Sequence, residues 1–295
     1  MGHRKHSQPR RGSLAYLPRG RAKSMEARIR TWPEITSEEP KLLGYAGFKV
    51  GCIQIVSIDD REKTPNHGKQ LVSLGTVVAT PPISVIGIRG YYEDINGSHA
   101  LFDVYSNDMP KEVSRLFTLK PQEGSLERAE KMLNRTSELF AVVAVLPNNA
   151  GISQKKPYVF EVAVKGGDLK KQFDFVKSLF GKQVKIEEVF ELGSSVDVAS
   201  ITKGKGWEGP ITRWGVKKKQ HKSRKSVRAL GTLGPISPSS IMYTVPRAGQ
   251  RGFHQRVEYN KRIMIMSNTE KQDFKINPAG GYKDRKSTRL NSSHL

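Results

Sequence analysis

The sequence predicts a mixed α/β protein with a strand-rich centre and a strongly basic segment on either side of it. Three observations support this prediction. Short runs of β-branched and apolar residues follow one another between residues 44 and 105. Two later stretches space their apolar residues as one face of a helix, and the net charge of +22 lies almost entirely outside the centre. Several short strands at this spacing indicate a barrel or a sandwich.

The charge divides the chain into four blocks. Residues 1–30 hold 9 Lys and Arg against 1 acidic residue, and residues 203–262 hold 15 against 2. Residues 31–202 hold 20 against 22, and residues 263–295 hold 6 against 3. Two dense basic blocks beside a neutral body are typical of arms or loops that contact a polyanion.

The elements follow in order along the chain. Residues 1–35 are rich in Arg, Lys, Gly, Ser and Pro, and we expect an extended arm that is ordered only against a partner. The runs GYAGFKVGCIQIVSID (44–59), LVSLGTVVAT, ISVIGIRGYYE and ALFDVYS predict strands, and ELFAVVAVLP (138–147) predicts a buried strand.

Two helices are expected between and after these strands. Ser125 is suited to cap a helix that begins at Leu126. In DLKKQFDFVKSLFG (168–181), Asp168 is suited to the N-terminal cap and Gly181 to the C-terminal one. From Lys203 onward apolar residues are sparse for sixty residues, which is too long for an ordinary loop in a compact domain.

Several classes of protein are excluded by absent patterns. The single Cys52 allows neither a disulfide framework nor a cysteine-based zinc site, and it fits a reducing compartment. We expect no membrane span, secretory signal or myristoylation. The usual catalytic motifs are missing and the seven His are scattered among cations, so we expect no catalytic residue, cofactor, metal or small-molecule substrate.

The stretch GKGWEG (204–209) matches the G-x-G-x-x-G spacing of dinucleotide-binding loops. That function needs a following helix and an acidic residue about 20 positions on. PITRWG is a poor helix start, and the next acidic residue after Glu208 is Glu258. Two alternatives stay open: a turn that needs positive φ and binds nothing, or a close approach to an RNA backbone, which the surrounding lysines favour.

The two stretches RWGVKKKQHKSRKSVR (213–228) and PRAGQRGFHQRVEYNKR (246–262) interleave cations with aromatic residues. Cations neutralise phosphates and aromatic rings stack on bases, so this pattern predicts RNA binding. The predicted RNA-binding residues are Arg4, Lys5, Arg10, Arg11, Arg19, Arg21, Lys203, Lys205, Arg213, Trp214, Lys217, Lys218, Lys219, Lys222, Arg224, Lys225, Arg228, Arg247, Arg251, Phe253, His254, Arg256, Lys261 and Arg262.

The same stretches resemble a known family. ITKGKGWEGPITRWGVKKKQHKSR and LGPISPSSIMYTVPRAGQRGFHQRVEYNKRI are similar to the signature region of the universal large-subunit ribosomal protein three, in its archaeal and eukaryotic form. HRKHSQPRRGSLAYLPRGRA and GYAGFKVGC resemble the arm and first barrel strand of that family. The resemblance runs from about residue 2 to residue 282.

The resemblance implies a translation-protein-type β-barrel with an inserted α/β subdomain and long basic extensions. It implies a non-catalytic protein of the cytoplasmic ribosome that binds large-subunit ribosomal RNA and neighbouring ribosomal proteins, supports assembly and shapes the region near the peptidyl transferase centre. The expected divisions are an arm (1–40), a barrel (41–105 and 185–282), an insertion (106–184) and a basic extension (212–250).

The chain departs from the family at two places. At the tip of the extension, Ile236 stands where many relatives carry Trp, so an indole's stacking role does not carry over. The segment DRKSTRLNSSH (284–294) is unlike the family and resembles a translated sequencing adapter. We expect residues 283–295 to be non-native and the C-terminal part of the barrel to be incomplete.

Two other functions use the same basic arms. An RNA-modifying enzyme needs a cofactor pocket or a metal constellation, and the sequence has no motif for either. A free RNA chaperone needs only sequence-independent binding with a steep salt dependence.

Overall fold

A computed structural model of the chain describes residues 9–116, 118, 124–223 and 225–267. This part of the chain is a mixed α/β protein rich in strands, as the sequence predicts. Its α-helices are α1 (Ser125–Met132), α2 (Leu169–Ser178) and α3 (Pro210–Trp214). Its strands are β1 (Lys41–Leu42), β2 (Phe48–Ile58), β3 (Gln70–Ala79), β4 (Ile83–Asp94), β5 (Gly97–Tyr105), β6 (Glu138–Val145), β7 (Tyr158–Lys165), β8 (Gln183–Val184), β9 (Ser195–Ile201), β10 (Trp207–Glu208), β11 (Gly249–Gln250) and β12 (Gln255–Arg262).

The chain separates into two compact units. The arm–loop unit comprises residues 1–28 and 197–261, and the sheet unit comprises residues 29–196 and 262–295. The arm–loop unit carries 22 Lys and Arg against 4 Asp and Glu, whereas the sheet unit carries 28 against 24. The positive charge of the chain therefore belongs mainly to the arm–loop unit.

The sheet unit is built on a six-stranded sheet in the order β1-β7-β6-β4-β5, with β8 paired to the start of β4. All of these pairs are antiparallel. β6 is buried along nearly its whole length, which confirms the buried strand that its apolar run predicts. Phe173 and Val176 of α2 are fully buried in the same core. Apolar burial on this sheet is the main driving force for folding of the unit.

The helix boundaries differ slightly from those expected. Gly124, not Ser125, is the cap residue of α1, and its φ of 71° is a conformation that glycine adopts readily. α1 therefore begins at Ser125, one residue before the expected start. Asp168 is the cap residue of α2, although its side chain makes no capping hydrogen bond. Gly181 has a φ of 69° three residues after α2 ends.

Strands β2 and β3 form a separate antiparallel hairpin, in which Val56 pairs with Val72 and Gln54 with Leu74. The loop at its end is held by Asp59, which accepts hydrogen bonds from the Arg61 guanidinium at 2.8 Å. These contacts hold the pKa of the Asp59 carboxyl well below its usual range. The expected strands of residues 44–80 are thus two strands of one hairpin.

The strands of the described residues do not close into a barrel. The hairpin, the pair β9 and β12, and the pair β10 and β11 each stand as two-stranded sheets. The six-stranded sheet includes β6 and β7 from the expected insertion as well as β4 and β5, so it does not itself mark a boundary at residue 105. The translation-protein barrel and the division of the chain around it remain predictions.

Some expectations lie outside the described residues. These are the predicted RNA contacts Arg4, Lys5 and Arg224, the last part of the expected barrel (268–282) and the expected non-native tail (283–295).

Candidate nucleic-acid interface

The described part of the arm is ordered against its own chain. The backbone N–H of Ala22 donates to the Phe253 carbonyl at 2.8 Å, and Arg10 donates to the Thr244 carbonyl at 2.6 Å. The side chain of Gln255 bonds both the N–H and the carbonyl of Arg28. The expectation that the arm is ordered only against a partner is therefore wrong for residues 9–28. The reason is that backbone carbonyls of the basic loop supply the partners.

Trp214 is the centre of this packing. It is 5% exposed, its indole N–H donates to the Arg247 carbonyl at 2.9 Å, and the Arg19 guanidinium lies 3.8 Å from its ring centroid. Gly12 lies so close that a Cβ there would be 2.4 Å from the indole Cε3. The ring is thus enclosed by the arm and the loop and does not form an open stacking face.

A short helix carries Trp214 into this position. The prediction that PITRWG is a poor helix start is wrong, because residues Pro210–Trp214 form α3. Proline is favoured at the first helical position, where its fixed φ fits and no N–H is needed. The helix ends at Gly215, whose φ is 71°. Although α3 follows GKGWEG, the helix is only about one and a half turns long. The acidic residue that a dinucleotide site needs about 20 positions further on is still missing.

The segment GKGWEG runs beside residues 249–252 at the base of the basic loop. Gly206 has a φ of 68°, and its carbonyl accepts from the Arg251 N–H at 2.9 Å. Gly252, with a φ of 75°, lies so close to Lys203 that a Cβ there would be 2.1 Å from the Lys203 carbonyl oxygen. The positive φ favours glycine at both positions, and at Gly252 the close backbone approach also leaves no room for a side chain. Lys203 and Lys205 are exposed.

His254 is buried, and both of its ring nitrogens have partners within the chain. Nδ1 lies 2.7 Å from the Gly20 carbonyl oxygen, and Nε2 accepts from the Gly252 N–H at 3.0 Å. This pattern fixes the neutral tautomer with the proton on Nδ1. His254 therefore ties the arm to the loop, whereas the sequence argument places it at a phosphate or a base.

Arginine side chains converge on a cavity of about 240 Å³ in the arm–loop unit. Burial, followed by the charges of Arg213, Arg256 and Arg10, lowers the pKa of Arg19. An arginine keeps its charge in proteins because its ordinary pKa is so high, so the cavity is positively charged. Its lining consists of Tyr16, Arg19, Arg213, Arg251, Gly252, His254 and Arg256.

A second, larger cavity of about 560 Å³ shares Arg19 and Arg213 with the first and is also lined by Trp214. It is lined partly by apolar residues of the loop, among them Ile241, Met242 and Val245, and by Leu17 and Pro18 of the arm.

The remaining predicted contacts fall into three groups. Trp214 and His254 are buried, and Arg19, Arg213, Lys219, Arg251, Phe253 and Arg256 are half-buried. Two exposed cations have carboxylate partners, Lys261 with Glu258 at 2.8 Å and Arg262 with Asp60 at 2.5 Å. The other exposed cations are Arg10, Arg11, Arg21, Lys203, Lys205, Lys217, Lys218, Lys222, Lys225, Arg228 and Arg247. Ile236 at the expected tip is 97% exposed.

Within the described ranges, no three His, Cys, Asp or Glu residues are placed to hold a metal ion. Across the same part of the chain, no helix has the length and apolar character needed to cross a membrane.

Comparison with known proteins decides the family. The family model described as Ribosomal protein L3 matches residues 1–288. The chain belongs to the ribosomal protein L3 family. Relatives named Large ribosomal subunit protein uL3 are similar over most of their length. Those of Methanococcoides burtonii, Caldivirga maquilingensis and Archaeoglobus fulgidus are 41%, 40% and 39% identical over 95%, 96% and 94% of this chain, each with 83% of its own length covered.

Membership of the ribosomal protein L3 family confirms the resemblance drawn from the glycine-rich and basic stretches. Tyr16 was not predicted from the sequence, yet it lines the positively charged cavity, and its ring centroid lies 4.8 Å from the Arg256 guanidinium. An aromatic residue between the cations Arg11 and Arg19 was the available signal. The same interleaving of cations with an aromatic residue predicts Phe253 in the loop.

Proposed function

We propose that this chain is a structural constituent of the large ribosomal subunit and binds large-subunit ribosomal RNA through its arm–loop unit. The observation that carries the proposal is the concentration of 22 Lys and Arg against 4 acidic residues in that unit. A surface of this kind neutralises many phosphates and releases their counterions, which favours a long nucleic-acid partner. Family membership selects the ribosome as the setting.

Two kinds of residue serve this function in different ways. Exposed cations of the arm and loop, such as Lys217 and Lys218, contact phosphates. Trp214, His254 and Arg213 hold these segments together, since Arg213 itself donates to the Gln250 carbonyl at 2.9 Å and the Arg247 carbonyl at 3.1 Å. Losing one exposed lysine therefore has a small effect, whereas losing the packing around Trp214 displaces several cations together.

The finer features follow the family resemblance. The extension (212–250) reaches toward the peptidyl transferase centre, and Ile236 fills an RNA crevice at its tip as an aliphatic plug. The chain also contacts neighbouring ribosomal proteins, and the C-terminal part of its barrel is incomplete. The protein belongs to the cytoplasmic ribosome. There it supports subunit assembly and shapes the RNA near the peptidyl transferase centre without catalysing a reaction. Family membership favours this function over an RNA-modifying enzyme or a free RNA chaperone.

Sedimentation of the native protein tests the proposal. In a sucrose gradient of cell lysate, we expect the tagged chain to migrate with large subunits at moderate salt and to leave them after a high-salt wash. A matched sample treated with ribonuclease shows whether the association depends on RNA. Recovery of the chain mainly in the soluble fraction above the subunits would contradict the proposal.

A further inference from the structure

The positively charged cavity has two arginines that the chain itself fixes. Arg19 donates through Nη1 to the Arg213 carbonyl at 2.8 Å, and Arg213 donates through Nε to the Gln250 carbonyl at 2.9 Å. Because these bonds go to backbone carbonyls, they leave the positive charges uncompensated. Both guanidiniums are therefore held in place as walls of the cavity.

The other two arginines that line the cavity, Arg251 and Arg256, have guanidinium N–H groups without hydrogen-bond partners. Within the described part of the chain, the Arg251 guanidinium makes no hydrogen bond or ion pair, and Arg256 makes a single hydrogen bond, to the Gln255 carbonyl at 2.7 Å. The Nε of Arg19 is buried without a hydrogen-bond partner. None of the ion pairs among described residues includes an arginine of this cavity. Arg251 and Arg256 both line the cavity, so their free N–H groups are available to an anion bound there.

Tyr16 gives the cavity an aromatic edge. Its side chain is 55% exposed, and the Arg256 guanidinium lies over its ring at 4.8 Å from the centroid. A base that stacks on the free face of the ring would complete a sandwich with Arg256. Stacking on an aromatic ring tolerates any base, and a neighbouring arginine adds a cation–π contribution.

We propose that this cavity binds one backbone phosphate of an unpaired RNA nucleotide, whose base stacks on Tyr16. The inference rests on the proposed function and adds a particular binding site to it. At about 240 Å³ the cavity is smaller than common small-molecule sites, and it suits a phosphate with the base outside. A base inside a duplex is already stacked on its neighbours, so the nucleotide must be single-stranded.

The base-stacking half of the inference is tested with the full chain and a short oligouridylate, measured by fluorescence anisotropy. An abasic oligomer of the same length provides the phosphates without the bases. We expect Tyr16→Leu to weaken oligouridylate binding about tenfold and to leave abasic binding unchanged. The control is Tyr92→Leu, since Tyr92 lies on β4 of the sheet unit and does not line the cavity. Equal effects of the two substitutions, or none, overturn the stacking.

The phosphate half is tested by the salt dependence of the same binding. If Arg251 and Arg256 hold one phosphate, the double variant R251Q/R256Q lowers the slope of log K against log salt by about 0.7. Contacts to two separate phosphates would lower it by about 1.4 and would contradict a shared site. The charge-matched control is K155Q/K156Q in the sheet unit, where both lysines are exposed, and we expect its slope to be unchanged.

Two further outcomes separate the alternatives. Inorganic phosphate is added as a competitor, and we expect it to displace oligouridylate far less effectively than uridine monophosphate does. Equal displacement would mean a free-anion site and would overturn the nucleotide assignment. If the wild-type chain migrates with large subunits but Tyr16→Leu binds oligouridylate normally, the inference alone fails. If the wild-type chain neither binds RNA nor enters subunits, the proposed function fails.

Discussion

At the scale of single residues, the arm–loop unit depends on a few enclosed groups that are surrounded by charge. Trp214 contacts arginines from both the arm and the loop, with the Arg19, Arg213 and Arg10 guanidiniums at 3.8, 5.5 and 5.8 Å from its centroid. Cations over an aromatic face are attracted by its quadrupole. A single buried indole thereby offsets part of the repulsion among the arginines.

Replacing this indole tests its role. We expect Trp214→Ala to destabilise the arm–loop unit by about 3–5 kcal/mol, the usual range for a buried tryptophan, and to speed hydrogen exchange in residues 9–28. Trp207→Ala is the matched control, because Trp207 is 79% exposed. Its effect should stay within about 0.5 kcal/mol. Equal stability of the two variants in urea unfolding would contradict a central role for Trp214.

Tyr45 of the sheet unit predicts a pH dependence. Its hydroxyl donates toward the Pro81 carbonyl at 2.9 Å, with the Val184 carbonyl at 3.1 Å, and burial raises its pKa to about 12. Between pH 10 and 12 the folded chain keeps a proton that the unfolded chain releases, so stability falls as pH rises. We expect the stability advantage of the wild type over Tyr45→Phe to shrink across this window in urea titrations. If the difference in unfolding free energy between the wild type and Tyr45→Phe stays constant from pH 8 to 12, the raised pKa of Tyr45 is contradicted.

At the scale of elements, long periodic or apolar runs were predictable and short or remote contacts were not. The run ELFAVVAV gives β6 because nearly every residue of it is buried. α3 spans five residues, which is too short for a helical period to show. The docking of residues 9–28 joins positions more than 190 residues apart, largely through backbone carbonyls. Because every residue has a backbone carbonyl, the residue types do not indicate which carbonyls accept these hydrogen bonds. The cavity around Arg251 was unpredictable for the same reason.

The basic extension yields a prediction at this scale. Replacing residues 217–245 with a short Gly–Ser linker should leave the sheet unit folded, because its core residues such as Ile83 and Phe173 lie elsewhere in the chain. We expect normal hydrogen-exchange protection in β4 and β6 but poor incorporation into large subunits. A second variant, in which lysines of the extension become Gln, keeps the length of the extension and removes positive charge, so it shows whether charge alone is needed for incorporation. The substituted residues are Lys217, Lys218, Lys219, Lys222 and Lys225. Normal incorporation of the linker variant would show that the extension is not an RNA anchor.

At the scale of the whole molecule, charge and apolar burial are divided between the two units. The sheet unit has 28 Lys and Arg against 24 acidic residues and contains most of the buried apolar residues, whereas the arm–loop unit has 22 against 4 and many exposed cations. Charge counting along the sequence predicts this division, because it needs no knowledge of contacts. The family comparison then identifies the polyanion as ribosomal RNA in the proposed function.

RNA binding by the arm–loop unit is tested most directly by ultraviolet cross-linking of purified large subunits, with the cross-linked peptides of this chain identified by mass spectrometry. If the arm–loop unit binds the RNA, nucleotide adducts will concentrate in residues 9–28 and 203–262 and will be sparse in residues 29–196. Adducts concentrated in residues 29–196, or an absence of adducts from the basic segments, would contradict RNA binding by the arm–loop unit.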